Sequence, residues 1–405
     1  MPFELNAEER AQLVPADRLA LRSPIPTRPV SSDEFMPGPQ SSAQREFEAR
    51  VRAYGTELAR HQGLSRRRFF QTASGMAAAF LAMNDTWGPL FAVSRAEAAT
   101  PERAAERASS LSGQFIMDMH THFLHDKTRL AGFVRSREAV GRPDSIKRYT
   151  IGDNTNKPMA KWPWRMDDET LAYPYYERAL KAGIRNVCVH KGLFPPHTEK
   201  QYPHLLEYCQ VGDVAKAARD WPQLNFIIYH SAYRYAAGGR VEDAWAQVQR
   251  SGRVDWVSDL AELPAAHGVR NVYADLGQIF AQSTMADPNL AAFMMGTLIR
   301  GLGADRVVWG TDAIWTGSPQ WQIEALRRLE IPEGMRRQYG FSALGAADGP
   351  VKNAIFGENN ARLYDFPLAQ RAALAGDRMA RAKAAYEAAG TCRSNLAYGY
   401  VRPSA

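Results

Sequence analysis

Cysteine is scarce in this chain of 405 residues: there are 3, Cys188, Cys209 and Cys392. An odd number at wide spacing excludes a disulfide framework and a paired CxxC metal site, so the fold needs no oxidising compartment. Long apolar runs are missing too. The longest, residues 72–83 (TASGMAAAFLAM), falls short of the roughly 20 residues that a spanning helix needs, so no stable membrane span is expected. Neither sign of charge is collected into blocks. The 50 Lys+Arg against 43 Asp+Glu leave +7 spread over a mixed, solvated surface, which disfavours nucleic acid as a partner. No GxGxxG, Walker, zinc-finger or serine-elbow pattern occurs, so nucleotide and serine-hydrolase chemistry have no support. What is present, 45% hydrophobic and 10% aromatic residues, is enough for a large core in one barrel or two to three smaller domains.

The apolar run follows Ser65-Arg66-Arg67-Arg68-Phe69-Phe70-Gln71 and precedes Ala96-Glu97-Ala98. These segments resemble, in turn, the consensus of a twin-arginine export signal, the core of a signal peptide and a small-residue cleavage site. The resemblance implies the twin-arginine export machinery as a partner, a mature chain starting near Ala99, a periplasmic location and a cargo that crosses already folded. Residues 1–98 are then a flexible leader, rich in Pro and Ser in its first part. Their 12 Arg, no Lys and 11 Asp+Glu mean that removing them barely changes the surface charge. The other reading of 65–83 is a basic helix start followed by a buried Ala-rich helix.

From Phe115 the chain changes character. Short β-rich runs alternate with helical stretches, the pattern of βα units around a parallel sheet. Strands are expected over 115–120 (FIMDMH), 145–151 (SIKRYTI), 186–190 (NVCVH), 225–230 (NFIIYH), 271–276 (NVYADL) and 306–311 (RVVWGT), with helices over 175–182, 210–220, 241–249 and 288–302. The polar residues fall at strand ends. His120 and His122 flank Thr121, and the period of two puts both rings on one side of the backbone, where they can grip one ion. His190 and His230 each end a later strand, and Asp312 follows the last. In a parallel barrel these carboxyl ends meet on one rim, where such folds carry their chemistry. Asp275 is a candidate partner for an imidazole, and Lys191 and Cys188 fit structural roles. The run Lys161-Trp162-Pro163-Trp164-Arg165 offers Trp164 and Arg165 as candidate substrate contacts.

In order and spacing the chain resembles the amidohydrolase-related family of metal-dependent hydrolases, (β/α)8 barrels that include aminocarboxymuconate semialdehyde decarboxylase and the resorcylate decarboxylases. The resemblance rests on Asp118-Met119-His120-Thr121-His122, on the run from Tyr176 to Ile184 leading into NVCVH, on Trp221-Pro222-Gln223-Leu224 leading into NFIIYH, and on VVWGTDAIW. A looser match is Phe356-Gly357-Glu358-Asn359-Asn360-Ala361-Arg362-Leu363, with Asn360 where the family has Ala. It implies an α/β fold of barrel type over 99–366, followed by a helical extension and tail over 367–405. It also implies His120, His122, His190 and Asp312 as ligands of a divalent metal. His230 is then an acid/base or orienting group near the metal, and in a hydrolytic reaction Asp312 takes the proton of the attacking water while His230 stabilises the developing charge. Zinc suits this N/O set best, with manganese or iron as alternatives. The family pattern breaks in one place: only 22 residues separate His122 from the strand at 145, whereas two further βα units need about 60. Strands two and three are not evident, and the barrel is expected to be shortened.

The expected function is hydrolysis of an amide, ester or lactone of a small organic substrate by metal-activated water. The alternatives are a nonhydrolytic, metal-dependent decarboxylase of aromatic or unsaturated acids, and a catalytically impaired binding or scaffold protein. A homo-oligomer, completing the open side of the shortened barrel, is a further expectation.

Overall fold

The computed structural model describes residues 7–30, 37–122, 172–192, 203, 206–234, 241–313, 318–371, 376–388 and 399–403. The expected strand at 145–151, Trp164 and Arg165 lie outside the described residues. Six strands occur among those described: β1 (Val14–Pro15), β2 (Asn186–His190), β3 (Asn225–Tyr229), β4 (Val272–Asp275), β5 (Val307–Val308) and β6 (Tyr400–Val401). The fold class is α/β, as expected. β2, β3, β4 and β5 form one parallel sheet in chain order, with His190 beside Tyr229 and Ala274 beside both Ile228 and Val307.

Helices connect each parallel pair. Gly212–Asp220 leads into β3, Val241–Ser251 and Val257–His267 precede β4, and Ile279–Ala286 and Pro288–Leu302 precede β5. β3, β4 and β5 are largely apolar on both faces, as buried parallel strands require, whereas β2 leaves Cys188 and His190 exposed. Phe226, Ile228, Val272, Ala274 and Val307 join the helix-covered core. Ile227 and Val308 face the other way and cluster with Leu363, Met119, Tyr229 and Tyr273. The sharpest helix boundary is also the most readable: Asp287 caps the backbone of Asn289 ahead of Pro288, and the helix ends at Gly303.

The segment around His120 is not a regular strand, yet it lies parallel to β5. Met119 N donates to Trp309 O at 3.1 Å, Asp312 N donates to His120 O at 2.8 Å, and Thr121 bridges Ala313. Asn360 ties this seam from below, its Nδ2 donating to the carbonyls of Met117 and Trp309. The first strand-like segment thus sits beside the last strand, which is the cyclic order of a barrel wall.

The leader expectation meets a different arrangement. Residues 42–99 are largely helical, with helices Ser42–His61, Ala73–Trp87 and Arg95–Ala99. Phe47, Val51, Phe69, Phe80 and Met83 are buried in the main core. The Ala-rich run is apolar enough to be buried and too short to span a bilayer, so packing decides its fate. The end of the chain also departs from the expected single helix. A tight turn at Leu368–Gln370 is separate from helix Arg378–Ala388, which starts just after Gly376, and β6 pairs antiparallel with β1.

Lys352 is buried at 1% exposure, and its Nζ donates to the carbonyls of Arg327 and Leu329 at 2.9 Å each. Burial, which disfavours the charged form, pulls its pKa down to about 8. In the unfolded chain a lysine titrates near 10.4, so between these two values the unfolded state holds the extra proton and stability rises with pH. Denaturant unfolding from pH 8 to 10 should show a rise of up to about 3 kcal/mol in the wild type relative to Lys352→Met. Parallel curves for the two proteins would contradict this assignment.

Candidate metal centre

Six residues meet at the carboxyl ends of the sheet, and each arrives for a local reason. His190 ends β2 on the same face as Cys188, and Asp275 ends β4 on the same face as Tyr273. His230 arrives differently. Tyr229 holds the inner position at the end of β3, so a continuing strand would turn His230 toward the helices. Instead His230, Ser231 and Ala232 all take left-handed backbone angles (φ 56°, 50° and 58°), which swing His230 back onto the rim. Three such residues in a row cost about 1–3 kcal/mol each. The turn is held by Ser231 Oγ, which donates to Asp275 O at 2.7 Å, and by Tyr233 N, which donates to His230 O at 2.9 Å. Gly192 lets this loop approach, since a Cβ there would stand 2.5 Å from Tyr233 O. Asp312 is likewise left-handed, at φ 55°.

The organising contact is buried. His120 Nδ1 lies 2.7 Å from Asp275 Oδ2, with exposures of 5% and 0%. A carboxylate only accepts, so Nδ1 carries a proton toward Asp275, which leaves Nε2 as the nitrogen that a cation at the rim would take. That Nε2 stands 3.3 Å from Asp312 Oδ1, and His122 Nε2 stands 2.9 Å from the same oxygen. His230 Nδ1 donates to Gly277 O at 3.2 Å, again leaving Nε2 free to accept. The His230 ring centre is 5.1 Å from that of His120 and 5.2 Å from that of His190. Tyr229 stacks on His120 at 4.1 Å and meets His190 edge-on at 4.9 Å, forming a floor under both rings.

Electrostatics follow from this packing. Burial pulls the His230 pKa down to about 4 and keeps the ring neutral. Burial also works against charge on His120, but the hydrogen bond and charge of Asp275, with Asp312 and Asp118, outweigh it and raise its pKa. The carboxylates that hold a proton on His120 suit a cation equally well. Ligand atoms of His120, His230 and Asp312 all lie within 4.8 Å of one another, near the ~4 Å that opposite ligands of one ion span. Imidazole nitrogens and a carboxylate, each imidazole with its second nitrogen tied to an acceptor, are a donor set that fits a divalent metal.

The structure therefore brings His120, His230 and Asp312 within reach of one ion, with His122 beside Asp312 and His190 beside the His230 ring but outside that group of three. One assigned role changes. With its Nδ1 proton engaged by Gly277, His230 presents a lone pair to the site, so it serves as a ligand or base and not as a donor to a developing negative charge. Asp118, two positions before His120, was quoted in the motif without a role. Its Oδ1 accepts from His120 N and Thr311 N at 3.1 Å each, and its Oδ2 accepts from Thr311 Oγ1 at 2.5 Å. It clamps the seam just behind two of the gathered residues.

A family model described as amidohydrolase matches residues 154–366, about half of the chain. The chain belongs to the amidohydrolase family. His190, His230 and Asp312 lie inside the matched range, and His120 and His122 precede it. Members of this family are metal-dependent enzymes, hydrolases or decarboxylases. No curated protein matches the chain. Among solved structures it is similar to 2,6-dihydroxybenzoate decarboxylase from Rhizobium, at 16% identity over 64% of this chain and 87% of that one, with a TM-score of 0.30. A dihydroxybenzoic acid decarboxylase from Polaromonas with bound manganese aligns at 15% identity over 49% and 55%, with a TM-score of 0.25. An amidohydrolase from Burkholderia multivorans aligns at 16% over 65% and 69%, with 0.27. The chain spans little more than half the length of the Polaromonas enzyme, and likenesses this weak assign none of these activities to it.

Asp275→Asn is expected to preserve shape but misorient His120, because an amide must place a donor where the carboxylate accepts. Zinc affinity measured by calorimetry should fall about 10–100-fold. An unchanged affinity would separate Asp275 from the metal centre.

Proposed function

We propose that this amidohydrolase is a metal-dependent hydrolase that cleaves an amide, ester or lactone of a small organic molecule. The observation that carries the reading is Asp312 Oδ1, placed 2.9 Å from His122 Nε2 and 3.3 Å from His120 Nε2 on a rim that also holds His190 and His230. His120, His122, His190 and Asp312 would hold the ion, with zinc the best fit to this donor set and manganese or iron as alternatives. When bound, the ion supplies Lewis acidity, polarising a substrate oxygen and making water acidic enough to lose a proton near neutral pH.

The chain's own residues do the rest. Asp312, an acceptor at the rim, takes the proton released by water and can pass it to the leaving group. Asp275 fixes the His120 ring so that its lone pair faces inward. His230, neutral and with Nε2 unprotonated, adds a ligand or a second base. A nonhydrolytic decarboxylase would use the same residues without proton transfer from water to Asp312.

Elemental analysis of the purified protein should find about one divalent ion per chain, and His120→Ala should lose it. Asp312→Asn should lower turnover on esters or lactones by at least about 100-fold, the lower end of general acid–base contributions. Release of CO2 from hydroxybenzoates without ester or lactone hydrolysis would replace the hydrolase by the decarboxylase, and absence of a stoichiometric ion would remove both.

A further inference from the structure

The segment that resembles an export signal is also a docked part of the fold. Phe69 and Phe70, which follow the arginines, are 0% and 2% exposed, and the run they introduce is the buried helix Ala73–Trp87. The small-residue site Ala96-Glu97-Ala98 lies within helix Arg95–Ala99, and Ala98 is fully buried.

Between them, residues 90–97 strap onto the end of helix Gln320–Arg328. Ala92 N donates to Arg328 O at 2.7 Å and Glu330 N donates to Leu90 O at 2.8 Å, making an antiparallel bridge of Phe91 with Leu329. The side chain of Asn84 holds the strap through Leu90 N, Phe91 N and Phe91 O. Arg328, at 3% exposure, donates to both carboxylate oxygens of Glu97 and to Ala92 O, and its guanidinium lies 5.5 Å from the Phe80 ring centre. A chain cut after Ala98 would lose Glu97, Ala92 O and Phe80 at once and leave this buried cation its ion pair with Glu324. At the other end of the segment, β1 pairs with the C-terminal β6, and Arg28 donates to Arg402 O at 3.2 Å.

Arg67 and Arg68 stay at the surface, but a receptor that reads the phenylalanines beside them, and a peptidase that needs an extended chain, both require residues the fold has hidden. We propose that residues 42–98 are a layer of the folded protein, and that docking of this layer hides Phe69, Phe70 and Ala98, so that export and processing act only on undocked chains. The inference is independent of the metal centre, since it rests on the far end of helix Gln320–Arg328.

The test uses the full chain expressed in a bacterium with a twin-arginine pathway. Intact mass should show that the folded protein retains residues 42–98. Native thermolysin digestion should leave the Phe69–Phe70 region protected. Arg328→Glu should raise cleavage within residues 60–98 more than tenfold. The charge swap Glu97→Arg with Arg328→Glu should restore protection, which distinguishes strap docking from general loss of fold. A stable, folded wild-type product starting near Ala99, or cleavage at Phe69–Phe70 as fast in the wild type as in Arg328→Glu, would overturn the proposal.

Discussion

The carboxylate of Asp275 is the constraint around which the site is built. It has no exposure to water, and every polar contact it makes is to a group that must be placed accurately. Oδ2 receives His120 Nδ1 from the seam and His230 N from the end of β3, while Oδ1 receives Gly277 N from its own loop. A buried carboxylate without such partners would cost several kcal/mol, so the three chain segments are bound to one position by the same requirement. Gly310 belongs to this constraint. A Cβ there would stand 2.1 Å from Asp275 Oδ1 and 2.6 Å from His120 Cβ, so the strand beside them must lack a side chain.

The left-handed turn at 230–232 follows from the same centre. Strand alternation alone delivers Tyr229 to the inner face and would waste His230 on the helices. Backbone strain reverses that outcome, and it persists because Ser231 is anchored to the carbonyl of the very Asp275 whose carboxylate orients His120. Strain at one strand end and charge burial at the next are therefore two parts of a single pre-organised arrangement.

Much of this was legible in the sequence, and the failures have identifiable causes. Asn186–His190 reads as strand because it is short and β-rich, and Pro288–Leu302 reads as helix because Asp287 and Pro288 mark its start. The placement of His120, His190 and Asp312 at one end of the sheet follows from their strand-end positions. The mode of arrival of His230 does not, because no periodicity encodes three consecutive left-handed residues. Nor could the run at 72–83 be placed. A signal core and a buried Ala-rich helix share one composition, and the packing of this run involves residues as far off in sequence as Arg328, which lies over the Phe80 ring. Asn360, a departure from the family pattern, supplies an amide to the carbonyls of Met117 and Trp309, the second of which Met119 N also serves.

The seam between the first segment and β5 gives the last step. It has few ladder bonds, and side chains do the stitching: Asp118 to Thr311 behind the site, Asn360 below it. His120 and His122 lie on one side of this seam and Asp312 on the other, so separation of the two segments would pull the gathered groups apart. A cation shared between them would therefore favour the closed seam over the open one by its own binding free energy. The same linkage runs in reverse, since any substitution that loosens Asp118 or Asn360 weakens cation binding without touching a ligand. Ion affinity and closure of the sheet are two readings of one equilibrium. Polar side chains thus join the backbone bonds and the packing of Met119 against Val308 in holding the junction on which the chemistry depends.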